Sequence, residues 1–346
     1  MDAVLTESAL RGEASQLDTL ETTADVSDPV SYAEYRRNQN LVEFNAAHLL
    51  YSHTDDIEGT HRTLTLEECR QNAWFAYNVK TGAVRVVSNA CRLRWCPICA
   101  AARYQYIRQE VRAYVLSVRK PKFLTLTMRH TDAPLSDQIE ALYRHFRLFR
   151  QHRFISNLTR GGVWFFQIKL SKKDGNWHPH LHCVLDSDFI DKVKLSDEWR
   201  QTTGDSFVVD IRSIKDPGKV VDYVSRYCSK PCRLCDFTPQ DQAQIFTVLH
   251  GRRLCGAWGS GCSICFRPRR CEDAVDWKRI GDWPHVFLNR HADSLFRHIW
   301  LAFTTGQPLD QCFRDEIQRE DFLPDVSDCL SGKVLETSKQ EIFVFH

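Results

Sequence analysis

Polar residues dominate the first 40 positions with no lasting period, and this stretch is expected to be disordered. The first short strand falls at Ala83–Ser88. After it, Tyr104, Ile107, Val111, Val115 and Val118 recur at helical spacing. From Lys122 to Met128 the period changes to two: Phe123, Thr125 and Thr127 alternate with Leu124, Leu126 and Met128, which predicts a strand. Ile139, Leu142, Phe146 and Phe149 then form the stripe of a helix over Ser136–His152, with Arg144, Arg147 and Arg150 largely off it. A β-hairpin follows, with arms Val163–Leu170 and Trp177–Leu185 and a loop containing Asp174-Gly175. A strand at Ser206–Ile211 leads into a helix over Gly218–Ser229, and 285–304 reads as helical. There is no internal repeat. Strands interleaved with helices, with at least one hairpin, predict the α+β class.

A chain of 346 residues has room for roughly two or three domains. No apolar run approaches the ~18 residues of a membrane span, and the acidic N-terminus has no apolar segment of the secretory type. No membrane role and a cytoplasmic location are therefore expected. Charge changes the picture more. The whole chain is +2, but residues 1–60 hold 12 acids and 3 bases and residues 309–346 hold 9 acids and 4 bases. Residues 61–308 are left at +16, a basic body between acidic ends, which suits a polyanion-binding domain.

Of fourteen cysteines, eleven fall in two groups, while Cys183, Cys312 and Cys329 stand apart and read as packing residues. Without a secretory signal they read as metal ligands or buried thiols rather than disulfides. Cys69, Cys91, Cys96 and Cys99 supply the four thiolates of a closed structural Zn²⁺ site, whose loop is expected to present Arg92, Arg94 and Arg103 to phosphate. Cys232-x2-Cys235 and Cys262-x2-Cys265 form two knuckles of a zinc ribbon, with Cys255 and Cys271 as possible substitutes. The run Arg267-Pro268-Arg269-Arg270 is read as a contact to nucleic-acid backbone or as a solvated loop.

The most informative stretch is His178-Pro179-His180-Leu181-His182. Alternate strand residues share a face, so the three imidazoles point one way and can converge on one cation. They could also be surface residues beside a loop, but Trp177 and Val184-Leu185 argue for a buried strand. A tight Asp174-Gly175 turn pairs Gln167 with His182, and a six-residue loop over 171–176 pairs it with His180. Either register puts Gln167 on the histidine face. Two imidazoles and an amide oxygen suit a divalent ion with open positions, Mg²⁺ or Mn²⁺. Further on, Tyr223 and Tyr227 stand four apart on one helix face with Lys230 on the same side. A tyrosine hydroxyl is a poor nucleophile at its pKa of ~10 and needs nearby cations or a metal-bound phosphate to attack.

Taken in order, these segments resemble the rolling-circle replication initiators of small plasmids, within the HUH endonuclease superfamily. Phe123–Thr127 resembles the first family motif, a structural strand; His178–His182 the second, the metal strand; and Tyr223–Lys230 the third, the tyrosine helix. The Cys91–Cys99 segment with Cys69, together with Trp199, Thr203-Gly204-Asp205 and Asp210-Ile211-Arg212, also sits where such proteins carry similar residues. The position of Gln167 often carries a glutamate in related proteins. Single-tyrosine initiators commonly have an acidic residue where Tyr223 stands, and paired tyrosines look instead like certain phage initiators and transposases.

The resemblance implies an HUH-type core, a central antiparallel sheet flanked by helices, plus one or two small zinc-binding cysteine modules. It divides the chain into an acidic, disordered region over 1–60, a cysteine module over 61–102, the nickase core over 103–231, a second cysteine module over 232–275, and a helical segment with an acidic tail over 276–346. It also implies site-specific nicking of a single-stranded or hairpin DNA origin. His180, His182 and Gln167 would hold the metal, with His178 as the weaker alternative third ligand. Tyr227 would attack to leave a 5′-phosphotyrosyl link and a 3′-hydroxyl primer, Tyr223 would make a second transfer, and Lys230 would stabilise the developing charge. A host helicase and polymerase are the expected partners. A rolling-circle transposase and a non-catalytic zinc-ribbon DNA-binding regulator are the alternative readings.

Overall fold

The computed structural model describes residues 31–129, 131–171, 175–229, 232–267 and 276–319, with the backbone alone at 224–229, 316, 318 and 319. The described chain opens on helices α1 (Tyr32–Asn38), α2 (Leu41–Glu58) and α3 (Arg62–Glu67), which corrects the expectation of disorder for residues 31–60. Ser31 starts α1 with a capping box: its hydroxyl accepts from the Glu34 amide, and the Glu34 carboxylate accepts from the Ser31 amide. In α2, Phe44, Ala47, Leu50, Tyr51 and Thr54 recur at steps of three and four and are buried, while Asp56 and Glu58 stay exposed. The acidic composition hid that stripe.

Next come β1 (Ala73–Asn78), β2 (Val84–Ser88), α4 (Pro97–Ser117), β3 (Pro121–Thr127), α5 (Leu135–Gln151), α6 (Arg153–Leu158), β4 (Thr159–Leu170) and β5 (Trp177–Ser187). Then follow α7 (Lys192–Thr203), β6 (Val209–Ser213), α8 (Pro217–Ser229), α9 (Pro239–Leu249), β7 (Cys255–Gly259), β8 (Trp277–Asp282), α10 (Trp283–Asn289), α11 (Ser294–Thr305) and α12 (Gln311–Arg319). The 285–304 helix is thus two helices, the second capped by the Asp293 carboxylate accepting from the Phe296 amide.

The main sheet has five antiparallel strands in the order β6-β3-β5-β4-β7, so the histidine strand is central. Period-two alternation gives it two buried faces. Leu124, Leu126, Phe166, Ile168, Leu181, Cys183 and Leu185 share one core with α5 (Ile139, Leu142, Phe146, Phe149), α7 (Leu195, Trp199) and α2. Each such aliphatic or aromatic side chain contributes roughly 1.5–3 kcal/mol on burial. On the other face Val163, Phe165, Val184 and Phe123 pack with Ile107, Val111 and Val115 of α4 and Val220 and Val221 of α8. The helix carrying the tyrosines therefore lies on the histidine side of the sheet. Trp199 is fully buried, and its Nε1 donates to the Thr127 carbonyl at 2.8 Å, tying α7 to the end of β3.

Part of the segment expected as a second cysteine module, Cys255–Gly259, belongs to this sheet instead. Its strand β7 pairs with β4, in close approach. A Cβ on Gly161 would lie 2.2 Å from the Ser260 amide nitrogen, and one on Gly259 would lie 2.2 Å from the Arg160 carbonyl oxygen.

A smaller antiparallel sheet, β2-β1-β8, joins segments far apart in sequence. Phe75, Tyr77, Val86 and Ile280 pack there against Tyr32 of α1, Trp283, Val286 and Phe287 of α10, and Phe296 and Ile299 of α11. The division at 276 is therefore corrected: Trp277–Asp282 returns as a strand to the first cysteine region, which is not a separate unit. The expected Asp174, Lys230, Arg269, Arg270 and Cys271 lie outside the described residues, as do the acidic termini 1–30 and 320–346.

Candidate active site and cysteine centre

The hairpin takes the wider of its two registers. Leu170 pairs with Trp177 across a six-residue loop, so Gln167 pairs with His180 and Phe165 with His182. On the other side of β5, Thr125 pairs with His182 and Thr127 with His180. These pairings gather His178, His180, His182, Gln167, Thr125 and Thr127 on one face.

Within that face three donor atoms converge. His180 Nε2 and His182 Nε2 both meet Gln167 Oε1, the latter at 2.9 Å. His180 Nδ1 faces the His178 carbonyl at 3.1 Å, an acceptor that favours the tautomer with its proton on Nδ1 and a lone pair on Nε2. Lone pairs of nitrogen and amide oxygen pointing at a common space fit a bound cation, which removes their repulsion. Burial pushes His180 down to about 4 and His182 down to about 3, so both imidazoles are neutral, as ligands must be, at physiological pH. The His178 ring centroid is 5.4 Å from that of His180, but among the described residues the three histidines do not make a three-ligand cluster.

The His182 ring is boxed. Phe123 lies nearly parallel to it at 5.6 Å, and Tyr223 of α8 stands edge-on at 5.1 Å. Tyr223 is also edge-on to Phe123 at 5.8 Å, and it remains 37% exposed. Asp222 of α8 pairs with Arg108 of α4, fixing the helix along its neighbour. Tyr227 follows one helical turn after Tyr223 in the same helix; its side chain lies outside the described residues. The packing of Phe123 and Thr125 around His182 was not read from the sequence. The signal for it is the alternation of β3, which becomes informative only once β3 is known to pair with β5.

The first cysteine group is assembled. The sulfurs of Cys69, Cys91, Cys96 and Cys99 all lie within 4.8 Å of one another. Cys99 is 3.6 Å from both Cys69 and Cys91, and Cys96 is 3.8 Å from Cys69. A tetrahedron with zinc–sulfur bonds of ~2.3 Å has edges of about 3.8 Å, so the four thiols fit a closed tetrathiolate site. Hydrogen bonding to Cys69 and its other neighbours pulls Cys99 below the usual thiol range and pushes Cys91 above it. The Arg70 charge also favours the Cys99 thiolate, and Arg70 itself is buried and donates to Ser88 Oγ at 3.0 Å. Cys96 caps α4, with Pro97 at the first helical position. Arg70 and Arg92, each next to a cysteine of the set, hold left-handed φ values of 70° and 57°. That conformation costs about 1–2 kcal/mol for a residue with a Cβ.

Two readings of this region are corrected. Arg94 is half-buried and donates to the Leu249 and Arg252 carbonyls, and Arg103 reaches the Leu93 and Arg94 carbonyls, so both hold backbone rather than phosphate. The second knuckles are not brought together. Cys235 donates to Glu43 of α2, whereas Cys262 and Cys265 lie beyond β7, where the Cys265 amide donates to Glu110 of α4. The physical reason is that β7 was recruited to the sheet edge. Of the cysteine groups among the described residues, only the first could hold an ion.

No helix among the described residues is long and apolar enough to cross a membrane. A family model described as "Replication protein" matches residues 84–260, a stretch running from β2 through the cysteine loop, the histidine strand and α8 to β7. A curated relative, "Protein rep" of Lactiplantibacillus plantarum, is 24% identical over 169 residues, which is 45% of this chain and 45% of that relative. The match thus spans less than half of the relative's length. No solved structure matches. The resemblance to plasmid rolling-circle replication initiators is borne out at the level of the family, and the chain belongs to these replication proteins.

Proposed function

We propose that this protein initiates rolling-circle replication by metal-dependent, site-specific nicking of a DNA origin, single-stranded or extruded as a hairpin. The observation that carries this reading is the convergence of His180 Nε2, His182 Nε2 and Gln167 Oε1 beneath the helix that bears Tyr223 and Tyr227. His180, His182 and Gln167 would hold Mg²⁺ or Mn²⁺; when bound, such an ion polarises a scissile phosphate and offsets charge on the leaving oxygen. Tyr227 supplies the attacking oxygen. Its phenolic proton passes to solvent, a bond from the tyrosine oxygen to phosphorus forms, the phosphorus–O3′ bond breaks, and O3′ takes up a proton from solvent. The products are a 5′-phosphotyrosyl link and a 3′-hydroxyl that a polymerase extends. Lys230, three residues later, steadies the charge on the phenolate and phosphate. Tyr223 makes the second transfer, when a unit of DNA has been copied. The cysteine centre holds Zn²⁺ and is structural.

Family membership favours a replicative role over transposition, and the convergence of two imidazoles and an amide oxygen beside Tyr223 favours an enzyme over a regulator that only binds. Incubation with Mn²⁺ and labelled single strands from the gene's own flanking DNA should give an adduct that survives SDS, linked through Tyr227. Tyr227→Phe should abolish it. No adduct with any flanking sequence would leave a DNA-binding protein without this chemistry.

A further inference from the structure

An imidazole binds a cation through Nε2 only while its own proton sits on Nδ1. At His180 a backbone acceptor, the His178 carbonyl, favours this tautomer. At His182 the group beside Nδ1 is a side chain, Thr125 Oγ1 at 3.0 Å, placed there by the β3–β5 register. The aromatic rings of Phe123 and Tyr223 hold the plane of the imidazole but do not select which nitrogen is protonated. Gln167 Oε1, 2.9 Å from His182 Nε2, is an acceptor that draws the proton to the wrong end of the ring. Only a competing acceptor at Nδ1 opposes that pull.

We propose that Thr125 is a positioning residue: its hydroxyl oxygen accepts from His182 Nδ1–H and keeps the Nε2 lone pair available to a divalent cation. This rests on the metal reading of His180, His182 and Gln167. A hydroxyl suits the task because its single proton can rotate away while the oxygen accepts. Valine at this position has the same shape and β-propensity but no acceptor. With it, the proton moves to Nε2, donates to Gln167 and closes the site.

The test uses ¹⁵N-histidine-labelled, EDTA-treated full-length protein, with the His182 signals identified by their loss in His182→Gln. Wild type and Thr125→Ser should show the Nδ1–H tautomer, and Thr125→Val the Nε2–H tautomer. Mn²⁺ affinity, read by electron paramagnetic resonance, should fall about 10- to 100-fold in Thr125→Val and stay near wild type in Thr125→Ser. Should the valine protein fail to fold on thermal melting, Thr125→Ala carries the same two expectations. A wild-type Nε2–H tautomer, or a Thr125→Val protein with unchanged tautomer and affinity, overturns the proposal. Wild-type protein that binds no Mn²⁺ overturns the metal reading instead, and the tautomer comparison still decides what Thr125 does.

Discussion

Gln167 carries no charge, and that bears on how the histidine pair would respond to metal. Among the described residues no carboxylate joins the two imidazoles, so nothing neutralises a bound dication. Gln167→Glu should therefore tighten Mn²⁺ binding by about tenfold, or about 1.4 kcal/mol, by adding a charged oxygen where a neutral one stands. Gln167→Leu should weaken it. Calorimetric titration reads both, and unchanged affinity in the pair would place the amide outside the ligand set. Acid should act on the same imidazoles in metal-free protein. Burial lowers the folded pKa values to about 4 and about 3, below the ~6.5 of an unfolded histidine. The unfolded chain then binds more protons in that interval, so stability is full above pH ~6.5 and falls as pH drops toward 4. Thermal melts of EDTA-treated protein between pH 7 and pH 4 should show a decline that is smaller in His182→Gln. An equal decline in both would mean that other groups dominate the acid transition. Arg94 makes a third residue-scale case. Its guanidinium is half-buried on the Leu249 and Arg252 carbonyls. Arg94→Ala should cost about 2 kcal/mol in urea unfolding while leaving the salt dependence of DNA binding unchanged. A flatter salt slope would return Arg94 to the phosphate role.

Helix α8 shows how much an element can be read before its surroundings are known. The i, i+4 spacing put Tyr223 and Tyr227 on one face, and Tyr223 does meet His182. Tyr223→Phe should retain the ring contacts with His182 and Phe123, changing stability by less than about 0.5 kcal/mol. The variant should still form the first DNA adduct but fail to release a closed single-stranded circle, as read by gel analysis of products. Normal circle release would assign the second transfer elsewhere. The hairpin was equally legible, because strand period two put Gln167 on the histidine face in either register; the Ser171–Asn176 hydrogen bond shows the wider loop. What local pattern could not supply was the neighbour on the other side. Thr125 and His182 are brought together by strands far apart in sequence, and no periodicity encodes that. The same limit misled the reading of Cys232, Cys235, Cys262 and Cys265. Their spacing matches a zinc ribbon, but the intervening chain was needed as α9 and as the edge strand β7. In α2 the failure was different: net acidity was taken for disorder although a buried stripe was present.

At the scale of the whole molecule, the family match and the folding unit do not coincide. The match covers 84–260, which contains the histidine strand and the tyrosine helix. It omits Cys69, the fourth sulfur of the cysteine centre, and α2, whose Phe44, Leu50 and Tyr51 belong to the same core as one face of the main sheet. It also omits β8, which completes the small sheet by pairing with β1. The full chain should bind one equivalent of zinc by elemental analysis, because only one thiol cluster is assembled among the described residues. Two equivalents would mean that the later cysteines form a site after all. A fragment of residues 84–260 keeps three of the four sulfurs and loses the side chains that α2 contributes to the main core. It should hold zinc weakly, lose cooperative thermal unfolding and bind a hydrophobic dye. A chain ending at 275 keeps all four sulfurs and α2 but loses β8, α10 and α11. It should retain zinc while leaving Phe75 and Tyr77 uncovered, so its melting should show an early phase absent from the full chain. If the 84–260 fragment instead melts as cooperatively as the whole, the N-terminal helices are an attachment to the core and not part of it.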